Sequence, residues 1–186
     1  MNSAPPPRRA GLLPLNPDDP RHMAWLTLGF IALHLLLWTL LPALSHRAPP
    51  WDNIEQLVWS QSLQGGYYKH PPAPTWWMVF WTELLGRHVW VTFLAAQLSV
   101  AGMLLCVWRI ALMVTTPLRA FVSVVLTALV AYHGLRGIMA NHNTLQLLPV
   151  GLLLWALLGA VRAPPQGAAR WWLWAAAGAA GALCVL

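Results

Sequence analysis

Long apolar runs separated by short polar segments dominate this chain. The first run extends from Met23 to Leu44, and only Thr27, His34 and Thr39 interrupt it. At 1.5 Å per residue in a helix, the run is long enough to cross a hydrocarbon core of ~30 Å. It therefore predicts a first transmembrane helix. The run is also longer than the apolar region of a cleaved signal peptide, which favours an uncleaved anchor.

Further apolar runs follow at about 88–114, 118–135 and 144–161, and another begins at Trp171. Each predicts a spanning helix, so the expected fold class is all-α: a polytopic transmembrane helix bundle with about four to five spans. The last run reaches only Leu186, which is short of the roughly 20 residues that a span needs. We therefore expect the chain to be the amino-terminal part of a longer membrane protein.

The segment 45–87 is mixed in character, and we predict that it forms the first loop outside the cytoplasm. Between residues 52 and 64, apolar residues recur near helical spacing, while Asp52 and Glu55 share the opposite face. This pattern is typical of a short amphipathic helix that lies on the membrane surface.

A second helix is predicted within the same loop, over residues 71–86. Pro71 and Pro72 can open it, because a proline in the first turn of a helix lacks only an N–H that has no partner there. The segment is rich in tryptophan and carries Glu83, which favours a position at the membrane interface.

Composition supports a membrane protein, since 58% of the residues are hydrophobic and only 9% are charged. The net charge of +6 does not indicate nucleic-acid binding, because the basic residues are spread singly between apolar runs. Cys106 and Cys184 both lie within apolar runs, which excludes a disulfide framework and a cysteine metal site.

The polar lead, residues 1–22, is proline-rich and is predicted to be disordered and cytoplasmic, followed by a membrane domain over 23–186. Cytoplasmic segments of membrane proteins carry an excess of basic residues. With the N-terminus inside, the inner side holds Arg8, Arg9, Arg21, Arg109, Arg119, Arg162 and Arg170, and the outer side holds Arg47, Lys69, Arg87 and Arg136. The count favours this orientation.

The outer loop brings two acids close together, Asp52 and Glu55. Asp52 could simply cap the amphipathic helix, with Glu55 completing a capping box. Alternatively, one carboxylate could accept a proton from an attacking hydroxyl, or the two could hold a divalent metal. These roles do not exclude one another.

The segment Tyr67-Tyr68-Lys69-His70 precedes the proline-started helix. One interpretation is an aromatic interfacial belt with a snorkelling lysine. The other is a phosphate site, because a helix N-terminus adds partial positive charge to that of Lys69 and His70.

A second outer loop, residues 136–144, contains Arg136, Asn141, His142 and Asn143. Asn143 could cap the following helix. Alternatively, His142 and an asparagine could reach toward Asp52 to orient a substrate. His34 and His133 lie in apolar surroundings, and we expect them to be packing residues.

These features together resemble the amino-terminal part of the GT-C glycosyltransferases, and more narrowly bacterial members of the protein O-mannosyltransferase and aminoarabinose-transferase group. The resemblance covers roughly residues 23 to 160. In it, Asp52 matches the acid of the first loop, the run from Lys69 to Pro72 matches a basic-Pro-Pro segment, and Asn141 to Thr144 matches the second outer loop. The chain departs from the pattern at Asn53, where many relatives have a second acid, and in a second loop without a carboxylate.

The resemblance implies a multi-pass enzyme of the bacterial inner membrane that moves a sugar from a polyprenyl-phosphate carrier to a lipid, glycan or protein acceptor on the outer face. Asp52 would act as the base with help from Glu55. Lys69, His70 and Arg136 would bind the phosphate, and the polar side chains around them would orient the substrate: Tyr67, Tyr68, Asn141, His142 and Asn143. The resemblance leaves open whether Asp52 and Glu55 hold a divalent metal, and no other cofactor is expected.

Two alternatives of other classes remain at this point. The chain could be a non-catalytic fragment or assembly partner of such an enzyme. It could also be a small-solute or lipid transporter, although transporters usually place ionisable groups near the middle of the membrane, and the predicted spans contain no acid.

Overall fold

A computed structural model describes residues 16–68 and 70–186, and this part of the chain is all-helical. Its eight helices are α1 (Pro20–Ser45), α2 (Trp51–Trp59), α3 (Pro72–Leu85), α4 (Val89–Leu112), α5 (Pro117–Ala128), α6 (His142–Leu145), α7 (Leu147–Arg162) and α8 (Ala168–Val185). Together they form the helical membrane bundle that the hydropathy pattern predicts. Most of the predicted polar lead, including Arg8 and Arg9, lies outside the described residues.

Helix α1 begins three residues before its apolar run. The Asp19 carboxylate accepts a hydrogen bond of 2.8 Å from the Arg21 backbone N–H, and Pro20 occupies the first turn. Both features are typical of a helix start, since the first N–H groups of a helix lack partners within it.

Helix α4 lies at the centre and packs against α1, α5 and α7. Its buried face includes Leu104 and Trp108, which form a core cluster with Met23 of α1 and with Ala120 and Val124 of α5. These contacts place the start of α1 beside the end of α4 and the start of α5. Helices α1 and α4 are therefore antiparallel, as are α4 and α5, whereas α1 and α5 run in the same direction.

The bundle has two ends of different composition. The Asp52 end comprises the end of α1, the starts of α4 and α6, and helices α2 and α3. The arginine end comprises the starts of α1, α5 and α8 and the ends of α4 and α7. This arrangement follows from the chain order, because each long helix reverses the direction of the one before it.

Three segments of the described chain are long and apolar enough to cross a membrane: α1, α4 and the combined stretch His142–Arg162. The expected span over 118–135 is wrong in its length, because α5 ends at Ala128. The following turns bring Gly134 against Trp38, where an added Cβ would lie 2.6 Å from the indole. His133 therefore lies in a turn, and its carbonyl accepts a hydrogen bond from Gln97 at 3.4 Å.

The two cysteines are both free thiols, as predicted. Cys106 is buried in α4, and Cys184 lies near the end of α8. His34 is also buried, as expected of a packing residue, and its Nε2 lies 3.2 Å from the His133 carbonyl oxygen.

Candidate active site

Helix α2 presents Asp52 toward the interior of the Asp52 end. The helix starts at Trp51 after Pro50, and no side chain caps it. The prediction that Asp52 caps this helix is therefore wrong. The polar face of α2 is turned inward, so that Asn53 and Gln56 are buried. Its apolar face, with Ile54 and Val58, is exposed, as the amphipathic pattern predicts.

The Asp52 carboxylate is paired with an amide from the second predicted outer loop. Nδ2 of Asn141 donates a hydrogen bond of 2.8 Å to Oδ2 of Asp52. The other end of the same amide caps α6, since its Oδ1 accepts from the Thr144 backbone N–H at 3.0 Å. Asn141, and not the exposed Asn143, is thus the N-cap residue.

Asn53 fixes α2 in this position, a role that no local pattern in the sequence predicts. Its Nδ2 donates to Oγ1 of Thr92 at 2.7 Å and to the carbonyl of Ile138 at 3.1 Å. Its Oδ1 accepts from the Ala140 N–H at 3.1 Å. The fully buried amide therefore joins α2, the start of α4 and the segment before α6, and it holds Asp52 beside Asn141.

The three bonds use the Asn53 amide both as a donor and as an acceptor. An ionised carboxylate at this position could not donate to the Ile138 carbonyl.

An aromatic cluster lies at the same end and contains both histidines of the predicted site. The rings of His70 and His142 are 4.7 Å apart between centroids, and the ring of Trp59 lies 5.3 Å from that of His70. Trp59 also stacks on Tyr67, at 6.1 Å. The structure thus brings the two predicted outer loops together at these rings.

Tyr67 contributes to the local fold of its loop. Its hydroxyl donates to the Ser62 carbonyl at 2.7 Å and accepts from the Gln64 N–H at 3.0 Å. Tyr68, in contrast, is 82% exposed. Lys69 lies outside the described residues.

Two further predicted site residues, Glu55 and Arg136, lie on α2 and in the second predicted outer loop. Glu55 is half-buried, three positions after Asp52 on α2. Arg136 is exposed, and its Nη1 contacts Sδ of Met139 at 4.0 Å. Within 16–68 and 70–186, no three histidine, cysteine or acidic side chains lie close enough together to hold a metal ion. A metal at Asp52 and Glu55 therefore stays a prediction.

An apolar groove of about 300 Å³ lies beside this end of the bundle. Side chains of α3, including Pro74 and Trp76, form one wall, and Leu148 and Leu152 of α7 form the other. Gln146, which follows the Asn141-capped helix, also lines the groove and donates to the Cys184 carbonyl at 2.9 Å.

A comparison with protein families matches residues 69–185 to the family described as dolichyl-phosphate-mannose-protein mannosyltransferase. The chain belongs to this family. Membership confirms the expected class, a membrane glycosyltransferase family. The matched range includes His70, Asn141 and His142, whereas Asp52 and Asn53 precede it. Comparisons with curated proteins and with solved structures give no match.

Proposed function

We propose that this mannosyltransferase-family protein transfers a sugar from a polyprenyl-phosphate carrier to an acceptor hydroxyl, with Asp52 as the general base. The observation that carries the proposal is the hydrogen bond between Asp52 and Asn141. It holds a carboxylate of one loop against the second loop, at the end of the bundle where the histidine rings also lie.

The proposed reaction is a single displacement with inversion. The acceptor oxygen forms a bond to the anomeric carbon, while the bond between that carbon and the phosphate oxygen breaks. The phosphate leaves with the electron pair, and the hydroxyl proton passes to Asp52. Asn141 Nδ2 donates to Oδ2 of Asp52. In the proposed reaction the other carboxylate oxygen accepts the proton.

Cations would stabilise the negative charge on the departing phosphate. The candidates from the sequence are Lys69, His70 and Arg136. His142 is a further candidate, because it follows Asn141 in the chain and its ring lies 4.7 Å from that of His70. A hydrogen bond from a charged donor contributes on the order of 1.5–3 kcal/mol. Tyr67, Tyr68 and Asn143 lie around this cluster and could contact the sugar.

The apolar groove between α3 and α7 suits the carrier chain. It is lined mainly by tryptophan, proline and leucine side chains, and it lies beside the proposed site. A lipid tail in this groove would leave the phosphate at the polar end of the bundle. We further propose that this end faces away from the cytoplasm of a bacterial inner membrane, since the arginine end holds most of the basic residues.

The test is sugar transfer from a synthetic polyprenyl-phosphate sugar by membranes that contain the parental protein or a variant. Asp52→Asn should lower the rate by about 10²–10⁴, because an amide cannot accept the proton. Glu55→Gln should lower it less. The matched control is Glu83→Gln, at the same end but paired with the exposed Arg87.

A parental rate for Asp52→Asn, with parental activity in the control, would remove Asp52 from the reaction. Absence of transfer by the parental protein with any polyprenyl-phosphate sugar would favour a non-catalytic partner.

A further inference from the structure

The arginine end carries five arginines that the proposed reaction does not use. Arginines begin or end five helices there, at the starts of α1, α5 and α8 and at the ends of α4 and α7: Arg21, Arg109, Arg119, Arg162 and Arg170. The acids among the described residues at this end are Asp18 and Asp19, so positive charge is in excess.

None of these five guanidinium groups forms an ion pair or hydrogen bond with another side chain in the described part of the chain. Of these two acids, Asp19 caps α1 and pairs with His22 at 3.5 Å. Asp52, Glu55 and Glu83 all lie at the opposite end. Charges of one sign that lack local partners produce a potential that attracts an anionic partner.

One of the arginines lies in a defined pocket at the turn between α7 and α8. The pocket measures about 280 Å³ and is lined by Pro165, Arg170, Trp171 and Trp174. The turn precedes α8 and is closed by a hydrogen bond of 3.2 Å from the Gly167 N–H to the Pro164 carbonyl. Arg170 is half-exposed at the edge of this pocket.

Both tryptophans of this pocket are exposed, Trp171 at 73% and Trp174 at 40%. In membrane proteins, exposed tryptophan is enriched at the level of the lipid headgroups, because the indole is apolar with one polar N–H. A guanidinium binds a phosphate through two parallel hydrogen bonds. The pocket therefore combines a phosphate-binding group with rings that suit the adjoining glycerol and acyl chains.

We propose that the turn between α7 and α8 binds the headgroup of an anionic phospholipid, with Arg170 on the phosphate and Trp171 and Trp174 beside it. The charge excess selects an anionic lipid over a zwitterionic one. This site is separate from the proposed sugar-transfer site, which lies at the other end of the bundle.

Binding there should also stabilise α8. This helix packs chiefly on α7 through small residues, with Ala177 and Ala180 buried on α8 and Ala156 and Ala160 buried on α7. A lipid bound at the turn would contact the first turn of α8 and hold it against its neighbour.

The experiment uses the full chain purified in mild detergent and titrated with phosphatidylglycerol or with phosphatidylcholine of the same acyl chains. Native mass spectrometry then counts the bound lipids. Phosphatidylglycerol should bind more tightly than phosphatidylcholine, and Arg170→Gln should weaken it about fivefold, as expected for the loss of one arginine near anionic lipid. Arg47→Gln makes the same change on an exposed arginine at the Asp52 end and should leave binding as in the parent.

Several outcomes would overturn the proposal. Equal binding of the two lipids would show that charge does not select the occupant. Equal weakening by Arg170→Gln and Arg47→Gln would show that only net charge acts. Displacement of the lipid by millimolar inorganic phosphate would show a site for a free anion instead of a lipid.

Discussion

Asn141 donates a hydrogen bond to Asp52, which lies 89 positions earlier in the sequence, with 2.8 Å between Nδ2 and Oδ2. The same asparagine caps α6 with its carbonyl oxygen, so the fold of the second loop and the orientation of the carboxylate depend on one side chain. A change that separates these two roles tests whether the pairing serves the reaction.

Asn141→Ser makes that separation. Serine is a good N-cap residue, but its side chain is too short to reach Asp52. We expect sugar transfer to fall about 10- to 100-fold, since a hydrogen bond to a charged group contributes roughly 1.5–3 kcal/mol, while thermal stability changes little. The measurement is the transfer rate together with the melting temperature in detergent.

The double variant Asp52→Asn, Asn141→Ser completes this test. If Asn141 acts through Asp52, the double variant should be no slower than Asp52→Asn alone. Additive losses would contradict the pairing. The control is Asn143→Ser, which makes the same change at an exposed residue two positions away. It should lower the rate of sugar transfer less than Asn141→Ser does.

Asn53→Asp should destabilise the fold. The carboxylate would face the Ile138 carbonyl without a donor, and it would bring a charge into a fully buried position. A buried polar group left without its partner costs about 1–3 kcal/mol, and more when it is charged. Chemical denaturation in mixed micelles measures the change in the free energy of unfolding.

The control for this prediction is Asn143→Asp, the same substitution at an exposed position of the same end. It should change the free energy of unfolding by less than about 0.5 kcal/mol. Similar losses in the two variants would show that the buried bonds of Asn53 contribute little.

The long helices could be predicted from the sequence because each follows one rule, a continuous apolar run. Helix α1 matches its run within three residues at each end, and α4 does so within two. The rule failed at α5, where apolar residues continue beyond Ala128 but the backbone turns. Gly134 and Gly137 permit close contacts with Trp38 and Gln97 there, and such contacts depend on partners that are distant in sequence.

The site could be predicted only in part, for a similar reason. The sequence identified Asp52 and Asn141 as polar residues of two predicted outer loops. A carboxylate or an amide between apolar runs can be recognised from the residue type alone. It did not identify Asn53 as the residue that joins these loops. Nothing local marks a buried asparagine, since its three partners lie 39 to 87 positions away.

The two ends of the bundle predict the result of reporter fusions. Gly66 lies in the loop at the Asp52 end, and Gln166 lies in the turn at the arginine end. A reporter active outside the cytoplasm should work after Gly66, and one active inside should work after Gln166, because basic residues stay on the cytoplasmic side. Activity on one side for both fusions would contradict the bundle, and the reverse pattern would contradict the proposed orientation.

Gly151 tests the packing between α4 and α7, which supports the Asp52 end. A Cβ at this position would lie 2.8 Å from Sδ of Met103 and 3.0 Å from Cβ of Cys106. The Met103 side chain would have to shift, and the Cys106 Cβ, which is fixed to the α4 backbone, would be crowded. Small residues allow this kind of close approach between membrane helices. Overpacking costs about 1–3 kcal/mol, which exceeds the gain of up to about 1 kcal/mol in helix propensity when glycine becomes alanine.

Gly151→Ala should therefore lower the free energy of unfolding by about 1 kcal/mol. Gly29→Ala is the matched control, since it makes the same change within a spanning helix at a position with no neighbouring atom within 4 Å of the added carbon. In Gly29→Ala only the gain in helix propensity acts, so the variant should be as stable as the parent or slightly more stable. Denaturation of the parent and both variants in the same micelles measures the difference, and a stabilised Gly151→Ala would contradict the close contact of α4 with α7.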